Sequence, residues 1–206
     1  SRQRIWGVPI PAFQCKKCGN IILEPKVIDH IADMVEREGI EAWHKHGEQD
    51  LLPKGTTCTC GSADFSKGKD ILDVWFDSGV SHATVCEANK KLGADIDLYL
   101  EGSDQHRGWF HTSLLESTLT RGKAPYKQVV THGFIVDKSG YKMSKSLGNV
   151  VDPSDLIKKS GADILRLWVA YENFSEDISY SEESYVRVTE AYRRIRNTFR
   201  FILGNL

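Results

Sequence analysis

Four of the five cysteines fall into two close pairs, Cys15 with Cys18 and Cys58 with Cys60. No other feature constrains the fold as tightly, because two distant segments must meet if all four thiolates share one ion. Cys15-Lys16-Lys17-Cys18-Gly19 has the form of a zinc knuckle, its glycine allowing the tight turn that points both sulfurs at one Zn²⁺. Cys58-Thr59-Cys60-Gly61 is the mate, one residue shorter than the usual spacing. Four thiolates in tetrahedral geometry make a closed structural shell with no position left for catalysis. The short second knuckle and the 39 residues between Cys18 and Cys58 leave ordinary thiols as the alternative. An odd cysteine total and no visible secretory leader argue for a reducing compartment, the cytoplasm, over disulfides. Cys86 stands alone and is expected to be a small core residue.

The chain has 206 residues and a formal net charge of −1, which argues against a polybasic, bulk-electrostatic nucleic-acid binder. No run of about 18 apolar residues exists, so no membrane partner is expected. The sequence opens at Ser1 with no initiator Met, and we expect it to be a piece of something longer.

Between the knuckles, Val27-Ile28, Ile31 and Met34-Val35 recur at helical spacing, with Gly39 as the stop. A second short helix with Ile40 and Trp43 is expected to follow. His30, His44 and His46 are read as exposed side chains before metal ligands.

Three later stretches differ in character. Asp73-Val74-Trp75-Phe76-Asp77-Ser78-Gly79 sets large aromatics beside acids, a mixture suited to a pocket wall or to a core rim. Asp97 to Glu101 alternates like a strand and runs into Gly102-Ser103-Asp104-Gln105, and a helix follows from about Trp109 to Gly122. In a parallel α/β sheet, ligands bind beyond the carboxyl ends of strands, and Glu101, Asp104 and Gln105 fall there. A plain helix N-cap is the other reading of Asp104. The third stretch, Lys142-Met143-Ser144-Lys145-Ser146, follows a strand-like run over 127–136 and a turn at Asp137-Lys138-Ser139-Gly140. Two ammonium groups around small residues suit a polyphosphate, although a solvated loop has the same composition.

Asp152-Pro153-Ser154 starts a helix that Gly161 divides. Tyr185, Val188, Tyr192, Ile195, Phe199 and Ile202 then mark an amphipathic helix. Its arginines, Arg187, Arg193, Arg194, Arg196 and Arg200, are read as a solvated face, with RNA-backbone contact as the minority reading.

Together, DVWFDSG at 73–79, YLEGSDQHRGWF at 99–110 and KMSKS at 142–146 resemble class I aminoacyl-tRNA synthetases, within them the bacterial-type isoleucyl branch. The opening SRQRIWGVPIP and the later GADILRLWVA are similar to the same family, so the resemblance covers essentially the whole chain. Valyl and leucyl relatives share the lysine loop but differ in the other two stretches.

The resemblance implies an α/β fold: the second half of a Rossmann-like nucleotide-binding domain, with a small zinc-ribbon-like insert and a C-terminal helical segment. The implied divisions are 1–12 as entry, 13–69 as the insert, 70–151 as catalytic, and 152–206 as a helical stem. It implies an isoleucine–tRNA ligase that uses ATP and Mg²⁺, with isoleucine and tRNA(Ile) as substrates. Lys142 and Lys145 match the catalytic loop, and Glu101, Gly102, Asp104, Gln105 and Lys145 the ATP and adenylate contacts. Trp75 matches the amino-acid pocket.

The second class I signature, His-x-Gly-His, is absent, since His44-Lys45-His46-Gly47 has the wrong order. No stretch is large enough for an editing domain. The implied partners therefore include the first half of the catalytic domain and an editing domain, and this piece alone is expected to be nearly inactive. The alternative function is a zinc-containing RNA-binding module without catalysis.

Overall fold

The computed structural model describes residue 4 and residues 6–206. Residues 1–3 and 5, within the opening SRQRIWGVPIP stretch, lie outside the described residues. The chain divides into two compact units, one ending at Val85 and the other running Cys86–Leu206. The division falls within a π-helix, His82–Glu87.

In the first unit, strand β1 (Phe13–Cys15) lies between β2 (Ile21–Ile22) and β3 (Phe65–Lys67), antiparallel to both. Helix α1 (Pro25–Glu38) opens on a proline whose missing N–H costs nothing at a helix start. It buries Val27, Ile31 and Met34, the stripe its spacing predicts, and ends at Gly39 with φ of 80°. The next helix, α2 (Ala42–Lys45), contains Trp43 but begins beyond Ile40. The Gly39 carbonyl takes the Ala42 N–H at 3.0 Å, so residues 39–41 form a turn. Helix α3 (Glu48–Leu51) follows. Phe13, Val27, Ile31, Trp43, Leu51 and Phe65 form the core, with Phe13 set edge-on to Trp43 at 5.5 Å. Each such side chain contributes roughly 1.5–3 kcal/mol by leaving water. Helix α4 (Val74–Gly79) is capped by Asp73, whose carboxylate accepts from the Trp75 N–H at 2.8 Å.

The second unit starts with a parallel pair, β4 (Ile96–Gly102) and β5 (Tyr126–His132), joined through helix α5 (Trp109–Arg121). Buried Tyr99 stacks on Trp109 with centroids 3.9 Å apart, which pins the start of α5 to the sheet. The α5 residues that are buried are Phe110, Ser113 and Ser117, while Leu119 is 84% exposed.

The strand expected over 127–136 is broken. Up to His132 the backbone pairs with β4, but the Gly133 N–H turns to the Phe174 carbonyl at 2.8 Å. Beyond it, β6 (Ile135–Val136) pairs in parallel with β7 (Ile178–Ser179). Gly133 allows the switch, because a Cβ there would be driven into the Glu176 carbonyl.

Asp152 caps α6 (Pro153–Ser160) through the Ser154 N–H at 2.8 Å, and Gly161 at φ 90° separates it from α7 (Ala162–Tyr171). The last helix, α8 (Glu182–Leu203), packs Tyr185 and Val188 against Ile164 and Trp168 of α7. Tyr192 is partly buried against the same cluster, and beyond it the apolar stripe is uncovered, with Phe199 61% exposed. The cause is length: α7 has 10 residues and α8 has 22, so the partner ends first. Cys86 is half-buried and joins neither core. Among the described residues, no helix is long and apolar enough to cross a membrane.

Candidate active site and metal centre

The carboxyl ends of β4 and β5 meet in register, Glu101 beside Thr131 and Gly102 beside His132. Such ends collect ligands because strand backbones stop there and the next element presents free N–H groups. The next element is a 3₁₀ helix, Ser103–Arg107, which begins from Gly102. Asp104 sits in its first turn and makes no side-chain cap. Gln105 spends its side-chain oxygen on the Trp109 N–H at 3.0 Å, capping α5. Glu101 and Asp104 are exposed. A Cβ at Gly102 would come within 2.7 Å of an Asp104 oxygen and 3.3 Å of the Phe134 ring, so the loop closes tightly only around glycine.

Phe134 connects this loop to the lysine loop. Its ring lies under the Lys142 ammonium, 3.8 Å from nitrogen to centroid. Lys142 and Lys145 are both exposed, and the segment between them is held from within. The Ser144 N–H donates to Asn149 Oδ1 at 2.8 Å, and the Leu147 and Gly148 N–H groups reach the Ser144 carbonyl, each at 3.1 Å. The turn expected at 137–140 is present, with the Gly140 N–H on the Asp137 carbonyl at 2.9 Å. Asp137 also takes the Ser139 and Tyr141 N–H groups, both at 2.9 Å, and Asn149 Nδ2 at 2.7 Å. These donors, Asn149 first and the Tyr141 amide next, hold the Asp137 carboxyl below its ordinary range.

Lys142, Gly102 and Asp104 are thus gathered around Phe134, with Glu101 one residue away. Phe134, Asp137 and Asn149 are the residues that sequence reading passed over. The one trace of them was the Asp–Lys–Ser–Gly turn, read for its geometry and not for its carboxylate.

Trp75 belongs to the first unit. It is 44% exposed and lines a cavity of about 640 Å³ with Asp70, Ile71, Leu72, Asp73 and Val74. That agrees with a pocket wall over an aromatic core. Burial, and then the Asp73 charge, push the Asp77 carboxyl up.

The four paired cysteines come together, their sulfurs all within 4.8 Å of one another. Cys15 and Cys60 are 3.7 Å apart, and Cys18 and Cys58 are 3.4 Å apart. A tetrahedral Zn²⁺ with bonds of about 2.3 Å requires sulfurs roughly 3.8 Å apart, so the donor set suits the ion. Each knuckle turns on a left-handed glycine, Gly19 at φ 77° and Gly61 at φ 78°. The Gly19 N–H reaches back four residues to Cys15 and the Gly61 N–H three residues to Cys58, each at 2.8 Å. The missing residue in the second knuckle is absorbed by that tighter turn. The Cys18 N–H brings the Cys15 thiol down to about 6. Cys18 is pulled down by the Asn20 N–H, yet the neighbouring sulfurs of Cys58 and Cys60 push it up to about 12. His30, His44 and His46 lie outside the cluster, and His46 pairs with Glu38 at 2.6 Å.

A family model described as "tRNA synthetases class I (I, L, M and V)" matches residues 1–181. Isoleucine–tRNA ligase of Geobacter sulfurreducens is 58% identical across the whole chain, and that of Thermoanaerobacter sp. X514 is 55% identical. The chain spans 22% of the length of each of these relatives. A crystal structure of an Agrobacterium radiobacter K84 LeuRS-tRNA-LeuAMS ternary complex superposes with a TM-score of 0.70. That match is 22% identical and covers 97% of this chain and 28% of the other, a likeness of α/β fold. A zinc-bearing RNA-binding module without chemistry finds no support in these likenesses.

Proposed function

Because the chain belongs to the class I tRNA synthetase family, we propose that it supplies the lysine-loop half of an isoleucine-activating site. The whole enzyme would use ATP and Mg²⁺ to form isoleucyl-adenylate and pass isoleucine to tRNA(Ile) in the cytoplasm. The observation that carries this is the packing of Phe134, which sets the Lys142 loop beside the Gly102–Asp104 loop at the ends of β4 and β5.

The isoleucine carboxylate attacks the α-phosphorus of ATP, and negative charge builds on the departing pyrophosphate. Lys142 and Lys145 supply positive charge where that charge develops, which lowers the barrier more than it tightens substrate binding. Glu101 accepts from the adenylate, Gly102 lets backbone approach the nucleotide, and Asp104 and Gln105 border it. Gln105 does so through its nitrogen, since its oxygen is engaged by the Trp109 N–H. Trp75 is assigned to the amino-acid pocket by its match to the family. These groups give position and charge, and the reaction needs no covalent enzyme intermediate.

We read 13–69 as an insert held by Zn²⁺ on Cys15, Cys18, Cys58 and Cys60, with residues 1–12 as entry, 70–151 as the second half of the Rossmann-like domain, and 152–206 as a helical stem. The metal's role there is structural: four protein ligands leave no open position. Catalysis then requires the half that carries His-x-Gly-His, and editing a further domain.

The test is isoleucine-dependent ATP–pyrophosphate exchange by the full-length protein that carries this chain. Exchange stimulated by isoleucine above leucine and valine is the expected result. Exchange driven best by leucine, or none with any amino acid, would overturn the reading.

A further inference from the structure

Beyond its backbone turns and a bridge between Val136 and Lys142, the lysine loop is tied together by one side-chain pair. Asp137 follows directly after β6, whose pairing with β7 fixes it, and its carbonyl accepts from Ser179 Oγ at 3.1 Å. Its carboxylate closes the turn before the lysines by taking the Ser139 and Tyr141 N–H groups. The same carboxylate takes Asn149 Nδ2 at 2.7 Å from the far side of the loop. Asn149 in turn offers its oxygen to the Ser144 N–H at 2.8 Å, midway between Lys142 and Lys145. Both ends and the middle of residues 137–149 are therefore tied through two side chains, neither of which carries the charge the reaction uses.

We infer that Asp137 and Asn149 are positioning residues, a clamp that holds the Lys142–Lys145 segment in the geometry its ammonium groups need. The inference rests on the proposed adenylation reading for what the lysines do, and on the hydrogen bonds alone for what holds them. A flexible loop would have to be ordered in each turnover. A loop ordered in advance spends no substrate binding on that, and a displacement of about 1 Å is worth roughly 100-fold in rate.

The clamp is directional, which makes it testable by exchange. Asp137→Asn sets two carboxamide nitrogens against each other. Asn149→Asp sets two carboxylates 2.7 Å apart. The double variant D137N/N149D reverses the donor and acceptor and keeps every bond: the residue at 137 still accepts two backbone N–H groups, and the residue at 149 still accepts from Ser144.

In the full-length protein that carries this chain, each single variant should lose about 10- to 100-fold in kcat for isoleucine-dependent pyrophosphate exchange, with the isoleucine KM unmoved. The double variant should regain most of the loss. In parallel, the Ser144 amide should exchange slowly with solvent in the wild type and in the double variant, and quickly in either single variant. Single variants that free Ser144 at wild-type kcat would overturn the positioning role. A double variant no better than the singles in both readouts would overturn the clamp, as would a kcat loss that merely follows melting temperature. A wild type without isoleucine-dependent exchange overturns the functional reading and the positioning role with it, while the amide data still decide the clamp.

Discussion

The Lys142 ammonium rests 3.8 Å from the centre of the Phe134 ring, and that ring also borders the Gly102 loop. One aromatic side chain thereby relates two segments about 40 residues apart in sequence. A cation held over an aromatic face at a partly exposed site is worth about 0.5–1 kcal/mol. Phe134→Leu removes the face and keeps the bulk. We expect the KM for ATP to rise up to about fivefold with the isoleucine KM unchanged, measured by steady-state exchange. A larger change for isoleucine than for ATP would show that Phe134 serves a different part of the site.

Lys145 has a different assignment, charge stabilisation at the departing pyrophosphate. Lys145→Ala should lower kcat for adenylate formation by about 100-fold or more while isoleucine affinity stays within about twofold. Calorimetric binding of isoleucine beside single-turnover adenylate formation separates the two. Equal losses in both would mean that Lys145 helps bind the substrate and does not act on the transition state.

The cysteine cluster predicts one Zn²⁺ per chain by elemental analysis. Cys58→Ser removes one of four ligands, and stripping with a chelator should remove the ion and lower the melting temperature of the first unit by about 10 °C or more. Amide protection should be lost across residues 13–67, where the core of that unit lies. A metal-free protein with an unchanged melting temperature would leave the cluster as packed thiols.

Gly133 offers a test of the strand switch. Gly133→Ala would push a methyl into the Glu176 carbonyl, against backbone atoms with no flexible side chain to give way. We expect a loss of about 1–3 kcal/mol in urea unfolding, with weakened protection of Ile178 and Tyr180, whose N–H groups reach Phe134 and Val136. An unchanged midpoint would show that the 174–178 segment is free to move aside.

Local chemistry was legible in the residues. Gly39 stops a helix because it tolerates a left-handed backbone, and Asp152-Pro153 starts another because the carboxylate caps a free N–H and the proline lacks one. The paired cysteines pointed to their own meeting, since four thiolates on one ion must converge from both segments. Glu101 at a strand end and the two lysines around small residues pointed to a ligand edge in the same way.

Other features depend on contacts between residues far apart in sequence, which no local pattern carries. The strand over 127–136 breaks at Gly133 because the backbone there pairs with residues 174–179, far along the chain. Half of the α8 stripe stays uncovered because α7 is shorter, a matter of matched lengths and not of periodicity. Asp137 reads locally as a turn residue, and only folding brings Asn149 to its carboxylate. The sequence by itself determined which groups could do chemistry. The tertiary structure decided what holds them still, because a hydrogen bond between side chains twelve residues apart leaves no periodic trace.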